Sequence, residues 1–466
     1  MRIALAVSIL ALLACGKVTE SGGGSAVDGG GGRVSCSTDA DCPLDQPVCD
    51  TNEGLCRGCE ASSECSARLG NAECETSSGA CVACIEDVQC LSSSAPICDQ
   101  EGYVCRGCAL DSECDSGLCD QETATCANSS NVVYVDNSAG NVLPGCGSQA
   151  QPCGGLADGF TKAGGIPINA EGERRYVVVV PSSTPYAGDV NPYQAPASTY
   201  ISAVGAEFDL DFRFEAINEG VVWIGGTFSG GVSAGQTLPI SCSSGGQLRV
   251  VGVDISSHGI GVSATDECDI EIFDSTFDDN ATALSINGAG SAQIERNLLR
   301  GTLGRAIFIQ GTDGVIRNNL LADNGFDGQI STISANPGVG ENVLIAYNTL
   351  VGNLSDESGA ITCGGSGGTT TVTSNIVFQN DAAVDCPQAG QTVVGNILEV
   401  PGGDPLLTNN SNQPPQFVNA GEDDYRLAPT SPAIDQGDVS AASPLDVAGN
   451  PRPVGMGPDI GAYERQ

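Results

Sequence analysis

The stretch Ile294-Glu-Arg-Asn297-Leu-Leu299 is followed by two close copies, Ile316-Arg-Asn-Asn319-Leu-Leu321 and Ile345-Ala-Tyr-Asn348-Thr-Leu350. The same pattern recurs at Asn375 and Asn396 and, with serine in place of asparagine, at Ser275. Neighbouring copies lie 21 to 29 residues apart. A period in the twenties with β-branched content is typical of stacked coils. Asparagine suits the turns of such coils because it tolerates left-handed dihedral angles, and stacked asparagines form an amide ladder.

A second ladder is predicted beside the first. An Asn or Thr often follows five residues after the first ladder position, at Asn280, Thr302, Asn324, Asn353 and Asn380. The composition fits this architecture, because 63 glycines and only 5% aromatic residues suit a thin core of Val, Ile, Leu and Ala. The sequence therefore predicts a mainly β solenoid over residues 131–400.

The charge of the chain limits its partners. The formal net charge is −39, with 57 acidic against 18 basic residues. Nucleic acid and anionic membrane surfaces are not expected as partners, since both are bound through lysine and arginine. No cofactor is expected, although calcium is a plausible counter-ion for so acidic a surface.

The first residues predict export. Met1-Arg2 precedes an apolar run from Ile3 to Ala14, which has the length of a secretory signal and is too short to span a bilayer. The run closes with Leu12-Leu13-Ala14-Cys15 and resembles a bacterial lipobox, which implies that Cys15 becomes the lipidated first residue. We expect a lipoprotein signal peptide over residues 1–14, a Gly/Ser-rich tether over residues 15–35, and a lipid anchor at the outer membrane or cell surface. An ordinary signal peptide with a chance cysteine is the alternative.

Sixteen of the 23 cysteines form four modules within residues 36–126, each reading Cys-x5-Cys-x4–8-Cys-x6-Cys. Such short modules cannot bury a useful core, so disulfides within each module are expected to stabilise them. Three connectivities per module remain open. The module cysteines are Cys36, Cys42, Cys49 and Cys56; Cys59, Cys65, Cys74 and Cys81; Cys84, Cys90, Cys98 and Cys105; and Cys108, Cys114, Cys119 and Cys126.

The Cys-x2-Cys pairs at the module junctions also fit zinc or thiol redox chemistry, but tandem repetition alone produces them and an exported protein favours disulfides. The spacing resembles small extracellular cysteine-rich modules, including Dickkopf-like amino-terminal domains. A rigid stalk is the favoured interpretation, and a protein-binding module is the alternative.

The segment that opens the solenoid resembles that of bacterial right-handed parallel β-helix proteins. Strand-like Val132–Asp136 and Arg175–Val180 flank Leu156, Phe160 and Ala163, which have helical spacing. A helix there is expected to plug the open end of the solenoid. Cys146 and Cys153 enclose a short loop and are expected to pair. Cys242/Cys268 and Cys363/Cys386 are spaced to staple adjacent coils.

The tail carries a second resemblance. Asp424-Tyr-Arg-Leu-Ala-Pro-Thr-Ser-Pro-Ala-Ile-Asp435-Gln-Gly-Asp438 and Gly457-Pro-Asp-Ile-Gly-Ala-Tyr-Glu464 resemble the carboxy-terminal signature of bacterial surface β-helix proteins called choice-of-anchor Q domain proteins. The resemblance implies that residues 401–466 cap a right-handed parallel β-helix of the pectate-lyase-like superfold. A local polar network is expected from Asp435, Asp438, Asp446, Arg452 and Asp459, with a calcium site formed by the four aspartates as the alternative.

Parallel β-helices host pectate lyases and polygalacturonases, so catalysis has to be considered. The acids nearest to a hydrolase arrangement are Asp278 and Asp279, with the sole histidine, His258. Hydrolysis needs two carboxylates that face each other across the bond, whereas adjacent residues on a strand point to opposite sides. No lysine follows Lys162 to serve as a lyase base. Structural roles are favoured for all three residues.

A further candidate binding site is the acidic loop Asp323-Asn-Gly-Phe326-Asp327, where Phe326 between two carboxylates could stack on a sugar. The alternative is a solvated loop. The sequence as a whole is interpreted as a surface-anchored, non-catalytic lipoprotein whose β-helix binds glycan or a surface protein. A polysaccharide-degrading enzyme, polygalacturonase- or pectate-lyase-like, is the alternative function.

Overall fold

The computed structural model describes residues 34–466, apart from 70–71, 91–94, 169, 171, 190, 232–236, 326–330, 355–358, 366, 388 and 400–409. The expected signal peptide, Cys15 and the tether as far as residue 33 lie outside the described residues. Contacts divide the chain into two units, Met1–Gly107 and Cys108–Gln466. The first three cysteine modules thus belong to one unit, and the fourth belongs with the solenoid. None of the helices in the described part of the chain has the length and apolar character needed to cross a membrane.

Each cysteine module is a two-stranded hairpin that two disulfides hold against the turn before it. The first cysteine pairs with the third and the second with the fourth in every module, as in Cys36–Cys49 and Cys42–Cys56. The second module also contains helix α1, Ser62–Leu69. The hairpin strands are β1 Val48–Asp50, β2 Leu55–Arg57, β3 Glu73–Glu75, β4 Ala80–Val82, β5 Ile97–Asp99, β6 Val104–Arg106, β7 Cys119–Asp120 and β8 Thr125–Cys126.

The acids of the modules have a structural use. Asp39, Asp87 and Asp111 occupy the same position in three modules, and each accepts a hydrogen bond from the backbone N–H of the third cysteine at 2.7, 2.7 and 2.9 Å. Their side chains therefore fix the hairpin to the preceding turn. Part of the strong negative charge of the chain comes from this repeated turn chemistry and needs no ligand to explain it.

Three parallel sheets of 11, 9 and 8 strands form the solenoid, and each of the middle coils contributes one strand to each sheet. Sheet A contains β9 Val132–Val135, β10 Arg175–Val179, β11 Thr199–Ser202, β14 Val221–Ile224, β17 Gln247–Val251, β20 Asp269–Phe273, β23 Ser291–Glu295, β26 Asp313–Arg317, β29 Asn342–Ala346, β32 Thr369–Thr373 and β35 Gln391–Val394. Sheet B contains β12 Glu207–Phe208, β15 Thr227–Ser229, β18 Asp254–Ser256, β21 Thr276–Asp278, β24 Leu298–Arg300, β27 Leu320–Ala322, β30 Thr349–Val351, β33 Ile376–Phe378 and β36 Ile397–Leu398. Sheet C contains β13 Phe214–Ala216, β16 Ile240–Cys242, β19 Ile260–Thr265, β22 Thr282–Asn287, β25 Ile307–Gln310, β28 Ile333–Asn336, β31 Ile361–Cys363 and β34 Val384–Asp385. The predicted mainly β, parallel β-helix preceded by disulfide-rich modules is confirmed.

The core of the solenoid is built from residues stacked in register. Ile272, Ile294, Ile316 and Ile345 are direct neighbours in successive strands of sheet A, and each is fully buried. Larger rings gather in the first coils, where Phe208 and Phe228 stack with centroids 4.5 Å apart. Two disulfides, Cys242–Cys268 and Cys363–Cys386, join adjacent coils at the positions expected.

The asparagine ladder is present and runs through the turn between sheets A and B. Asn348 Oδ1 accepts from the backbone N–H and the side-chain amide of Asn319, at 3.0 and 2.9 Å. Asn375 Oδ1 repeats this with Asn348, at 2.9 and 3.0 Å. The second ladder is present as well, with Asn353 Oδ1 accepting from Asn324 N at 3.0 Å.

One detail of the ladder differs from the expectation. The left-handed dihedral belongs to the residue before each ladder asparagine, with φ of 56° at Arg296 and 57° at Tyr347. The preceding residue therefore makes the sharp turn, while the asparagine stays buried, with no exposed area at Asn297 or Asn348. An inward side chain is required because the ladder bonds lie inside the solenoid.

Helix α2, Leu156–Gly164, closes the first coil as predicted. Leu156, Phe160 and Ala163 are buried in the main core, and the Phe160 ring lies 6.1 Å from that of Phe214. The helix approaches the sheet so closely that an ideal Cβ on Gly159 would lie 2.3 Å from Val135 Cγ2. The expected Cys146–Cys153 disulfide closes the loop beside the first strand.

Candidate functional site on the outer face of sheet C

The fourth cysteine module covers the outer face of sheet A at its first strands. Leu118 of this module packs in one apolar cluster with Tyr176 and Tyr200, which project from that face. Asp120 is 1% exposed and lies 3.1 Å from Arg174 Nη1, and it accepts a hydrogen bond from Tyr176 at 3.3 Å. Burial and the Asp120 charge raise the pKa of Tyr176. This part of sheet A is therefore occupied by the chain itself.

A cleft of about 310 Å³ lies where the fourth module meets sheet A. Both of its arginines pair with lining carboxylates, while the remaining acid, Asp269, accepts a hydrogen bond from Ser291 Oγ at 2.7 Å. Arg249 Nε lies 3.0 Å from Glu122 Oε1, and Arg249 Nη1 lies 3.0 Å from Glu271 Oε2. Arg174 pairs with Glu122 from the other side. The two pairs made by Glu122 fasten the module to the sheet, so neither arginine of the cleft is left without a carboxylate partner.

The C-terminal segment, residues 410–466, covers the outer face of sheet B in the later coils. Its strands are β37 Phe417–Asn419 and β38 Asp424–Leu427. Tyr425 packs on the outward residues Leu320 and Val351, and further along Leu427 and Ile460 pack against the next two strands of the sheet. The sequence predicted a cap, and the structure lays this segment along the flank of the solenoid. The reason is that sheet B turns apolar side chains outward in these coils.

A buried ion pair fastens the C-terminal segment. Arg452 Nε lies 2.9 Å from Glu464 Oε2, and neither side chain is exposed. Arg452 Nη1 also donates to Asn318 Oδ1 at 2.6 Å, which ties the segment to the turn of a coil. Burial lowers the pKa of the Arg452 guanidinium, while the charge of Glu464 opposes that change.

The contacts described above join the fourth module to sheet A and the C-terminal segment to sheet B. Sheet C provides the third outer face of the solenoid. One outward residue per strand stands in register along it, and in every strand but the last it lies between two buried residues of the core. This outer column is Glu215, Ser241, Ser263, Ser285, Phe308, Ser334, Thr362 and Asp385. Ser334 is buried, with 5% exposure, whereas Ser263, Ser285 and Phe308 are partly exposed. The column has hydroxyl groups along most of its length and acids only at its two ends.

A second column of polar residues runs beside the first. Thr265, Asn287, Gln310 and Asn336 follow one another in register, and Asn287 and Gln310 are exposed. Asn336 donates from its amide to Ser334 Oγ at 3.3 Å, which links the two columns. Hydroxyl and amide groups both donate and accept hydrogen bonds. The face therefore combines neutral polar groups with one aromatic ring, which is the chemistry that suits a polyhydroxylated ligand.

Phe308 is the aromatic residue of the outer column. The Arg305 guanidinium carbon lies 4.9 Å from the centre of its ring, within the range of a cation–π contact. Sequence reasoning noted no role for this pair. A signal was present, since Ile307-Phe308-Ile309 places a large aromatic residue where the previous coil has serine, in Leu284-Ser285-Ile286.

The three residues weighed as catalytic do not form one site. His258 is 2% exposed, and its ring Nδ1 lies 3.0 Å from Thr237 Oγ1. Burial lowers the pKa of His258. Asp278 lies on the outer side of sheet B and pairs with Arg300 Nη2 at 2.9 Å. Asp279 is exposed in the following turn with a left-handed φ of 52°.

The acidic loop is only partly described. Phe326 and Asp327 lie outside the described residues. Asp323 occupies a left-handed turn position with φ of 52°. Burial and the nearby charge of Asp423 raise the pKa of Asp323. Whether this loop forms a sugar-binding site stays a prediction.

The aspartates weighed as calcium ligands accept hydrogen bonds from backbone N–H groups of the C-terminal segment. Asp459 Oδ1 accepts from Asp435 N at 2.8 Å, and Asp435 Oδ1 accepts from Met456 N at 2.8 Å. Asp438 Oδ1 accepts from Ser440 N at 2.9 Å, and Asp446 Oδ1 from Asn450 N at 2.8 Å. Within the described ranges, every cluster of three or more potential metal ligands consists of cysteines, all of them in disulfides. Each of these carboxylates is thus hydrogen-bonded within the C-terminal segment, and a calcium site there stays a prediction.

Comparison with known proteins agrees with the fold and assigns no activity. Residues 239–398 match the family described as right handed beta helix region. Residues 23–132 match a family of unknown function, DUF8331. One similar solved structure is the crystal structure of pectate lyase Pel9A, which is 13% identical, covers 73% of this chain and 100% of that chain, and gives a TM-score of 0.39. No curated protein sequence matches the chain. Together with the three parallel sheets, the first match confirms the predicted right-handed β-helix.

Proposed function

We propose that this protein is a non-catalytic carbohydrate-binding protein that holds a polysaccharide along the outer face of sheet C. The observation that carries the proposal is the outer column, in which hydroxyl groups stand in register around Phe308. Aromatic rings give sugars a flat apolar surface, and neighbouring hydroxyls and amides satisfy the sugar hydroxyls. Sheets A and B are in part covered by the chain's own segments, which leaves sheet C as the face for a partner.

The spacing of the column supports a polymeric ligand. Neighbouring strands in a sheet lie about 4.8 Å apart, so Ser241, Ser263 and Ser285 repeat at that interval along the solenoid. A chain of sugars that lies along the solenoid axis meets the same kind of group in each coil. A single sugar would use one coil and gain nothing from the repetition.

The chemistry of the face also supports binding without turnover. The central residues of the two columns are Ser, Thr, Asn, Gln and Phe, and none of these side chains titrates near neutral pH. Cleavage of a glycosidic bond needs an acid and a base that face each other. His258 is buried and Asp278 is paired on another sheet, so neither faces this column. A polysaccharide-degrading enzyme remains the alternative function and is tested by the same experiment.

We further propose that the protein is exported and anchored by a lipid at Cys15. Eleven disulfides suit an oxidising compartment. The first three cysteine modules form a unit of their own and would link the anchor to the β-helix. The fourth module contributes to the β-helix unit itself.

Binding to a panel of polysaccharides tests the function, with isothermal titration for those that bind. Ser285→Ala should weaken binding about two- to tenfold, the equivalent of one lost hydrogen bond. Ser256→Ala is the matched control, because Ser256 is partly exposed on sheet B. Equal losses in both variants, or no binding to any polysaccharide, would contradict the proposal. Release of reducing sugar by the wild-type chain would favour the enzyme instead.

A further inference from the structure

Most arginines of the middle coils pair with an acid one coil away. Arg296 lies 2.7 Å from Asp274, and Arg300 lies 2.9 Å from Asp278. The pairs Arg249–Glu271 and Arg317–Glu295, at 3.0 and 2.6 Å, follow the same arrangement. In a chain with 57 acidic and 18 basic residues, a nearby carboxylate is easy to supply. The positive charges on these coils are therefore neutralised within the protein.

Arg305 is different. None of the described carboxylates lies within 4.0 Å of its guanidinium, so it forms no ion pair with the part of the chain described here. Its Nε is buried and has no hydrogen-bond partner among the described residues. The ring of Phe308 lies beside it, with its centre 4.9 Å from the guanidinium carbon. Within the described part of the chain, no carboxylate therefore neutralises this cation beside the aromatic residue of the outer column.

This arrangement has an energetic cost that a ligand can offset. A buried donor without an acceptor is destabilising, and the planar guanidinium is suited to the paired oxygens of a carboxylate or sulfate. The backbone carbonyl of Arg305 accepts from Ala283 N at 3.3 Å, which fixes the main chain of the turn before Phe308. The contact with the Phe308 ring places the guanidinium at the edge of the proposed glycan surface.

We propose that Arg305 and Phe308 form a subsite for a sugar that carries an anionic group, a carboxylate or a sulfate. The inference rests on the proposed function, since the ring of the sugar lies on Phe308 and its charged group meets Arg305. The anionic group takes the role that Asp278 plays for Arg300. The ligand class is therefore an acidic polysaccharide, even though the chain carries a net charge of −39.

Long-range repulsion between two anionic partners has to be separated from the local contact. At 0.15 M salt, charges more than about 8 Å apart are largely screened. Short oligosaccharides at that ionic strength therefore report the subsite more directly than long polymers. Two matched pairs serve as probes: a short dextran with its sulfated form, and oligogalacturonate with its methyl ester.

Isothermal titration of the full chain against these four probes tests the subsite. The wild type should bind the anionic member of at least one pair about tenfold or more tightly than the neutral member, and the pair that responds identifies sulfate or carboxylate. Arg305→Gln should abolish that preference and leave neutral binding unchanged. Arg300→Gln removes the same charge from sheet B and should keep the preference. If Arg305→Gln fails to fold, judged by circular dichroism, Arg305→Lys should retain part of the preference.

The outcomes separate this inference from the proposed function. Equal binding of charged and neutral probes, or a preference that persists in Arg305→Gln, overturns the subsite and leaves glycan binding intact. The same conclusion follows if the wild type binds none of the four probes but binds another polysaccharide. Binding to no polysaccharide at all overturns both.

Discussion

Asn348→Ala should destabilise the solenoid by about 1.5–4.5 kcal/mol, because it removes a fully buried rung of the amide ladder. Its Oδ1 is the acceptor for the backbone N–H of Asn319 at 3.0 Å, and its Nδ2 donates to Ile316 O at 2.9 Å. The substitution leaves that N–H buried without its acceptor, which costs about 1–3 kcal/mol. The lost donor to Ile316 adds about 0.5–1.5 kcal/mol.

Urea denaturation followed by far-ultraviolet circular dichroism measures this loss as a lower midpoint. The matched control is Asn287→Ala, since Asn287 is exposed on sheet C and its side chain makes no described hydrogen bond. Surface substitutions of that kind change stability by about 0.5 kcal/mol or less. The double variant Asn319→Ala, Asn348→Ala should lose less than the sum of the two single variants, because both remove one shared bond. An equal midpoint for Asn348→Ala and Asn287→Ala would refute the ladder argument.

Four further outcomes are expected. Mass spectrometry of the mature amino terminus should find a diacylglyceryl group on Cys15, and Cys15→Ser should release the protein from membranes; an unmodified terminus would refute the anchor. Glu464→Gln should destabilise the protein by about 3–5 kcal/mol in the same urea assay, because it leaves a buried guanidinium without its counter-charge; a midpoint like that of the wild type would contradict this. The pKa of His258 is lowered from 6.5 by burial, so the unfolded chain binds a proton that the folded chain excludes, and stability should fall as the pH drops below about 6.5. His258 is the sole histidine, so His258→Gln should flatten that part of the stability profile, and an unchanged slope would count against it. Replacing Asp278 and Asp279 together by asparagine should leave polysaccharide binding unchanged with no turnover to lose, whereas wild-type cleavage that this variant abolishes would establish an enzyme.

The coil register was predictable because it depends on short local patterns. A ladder asparagine such as Asn319 and the buried apolar residue three positions before it, Ile316, recur with each coil, so the sequence alone sets them in register. The coil-joining disulfides follow from the same register, as at Cys242 and Cys268. The left-handed residue was misplaced by one position because glycine, serine, tyrosine and arginine all occupy it and no residue type marks it.

The connectivity within the cysteine modules was not predictable, because loops of similar length allow all three pairings. The structure sets Cys49 opposite Cys56 across the hairpin, and the preceding turn brings Cys36 to Cys49 and Cys42 to Cys56.

The sequence also indicated where the C-terminal segment packs, although the polar motifs of that segment pointed to a cap. Strand Leu320–Ala322 is apolar on both sides, whereas Thr276–Asp278 alternates. An outward apolar residue in a solenoid indicates that another segment covers it.

Sheet C is the face to test, because the chain itself covers the apolar outward residues of sheets A and B. Tyr176 and Tyr200 on sheet A and Leu320 and Val351 on sheet B would be exposed apolar surface if the fourth module and the C-terminal segment did not cover them. Sheet C requires no such cover, because its outward residues are mostly hydroxyls and amides. Phe308 departs from this pattern, because it is an aromatic ring beside a guanidinium that pairs with none of the described carboxylates. A solvated column needs neither group. A cover supplied by the chain would have placed an acid or an apolar residue on this pair, and none of the described residues does so. A ligand from outside that brings both a flat ring and a negative charge satisfies the two side chains together.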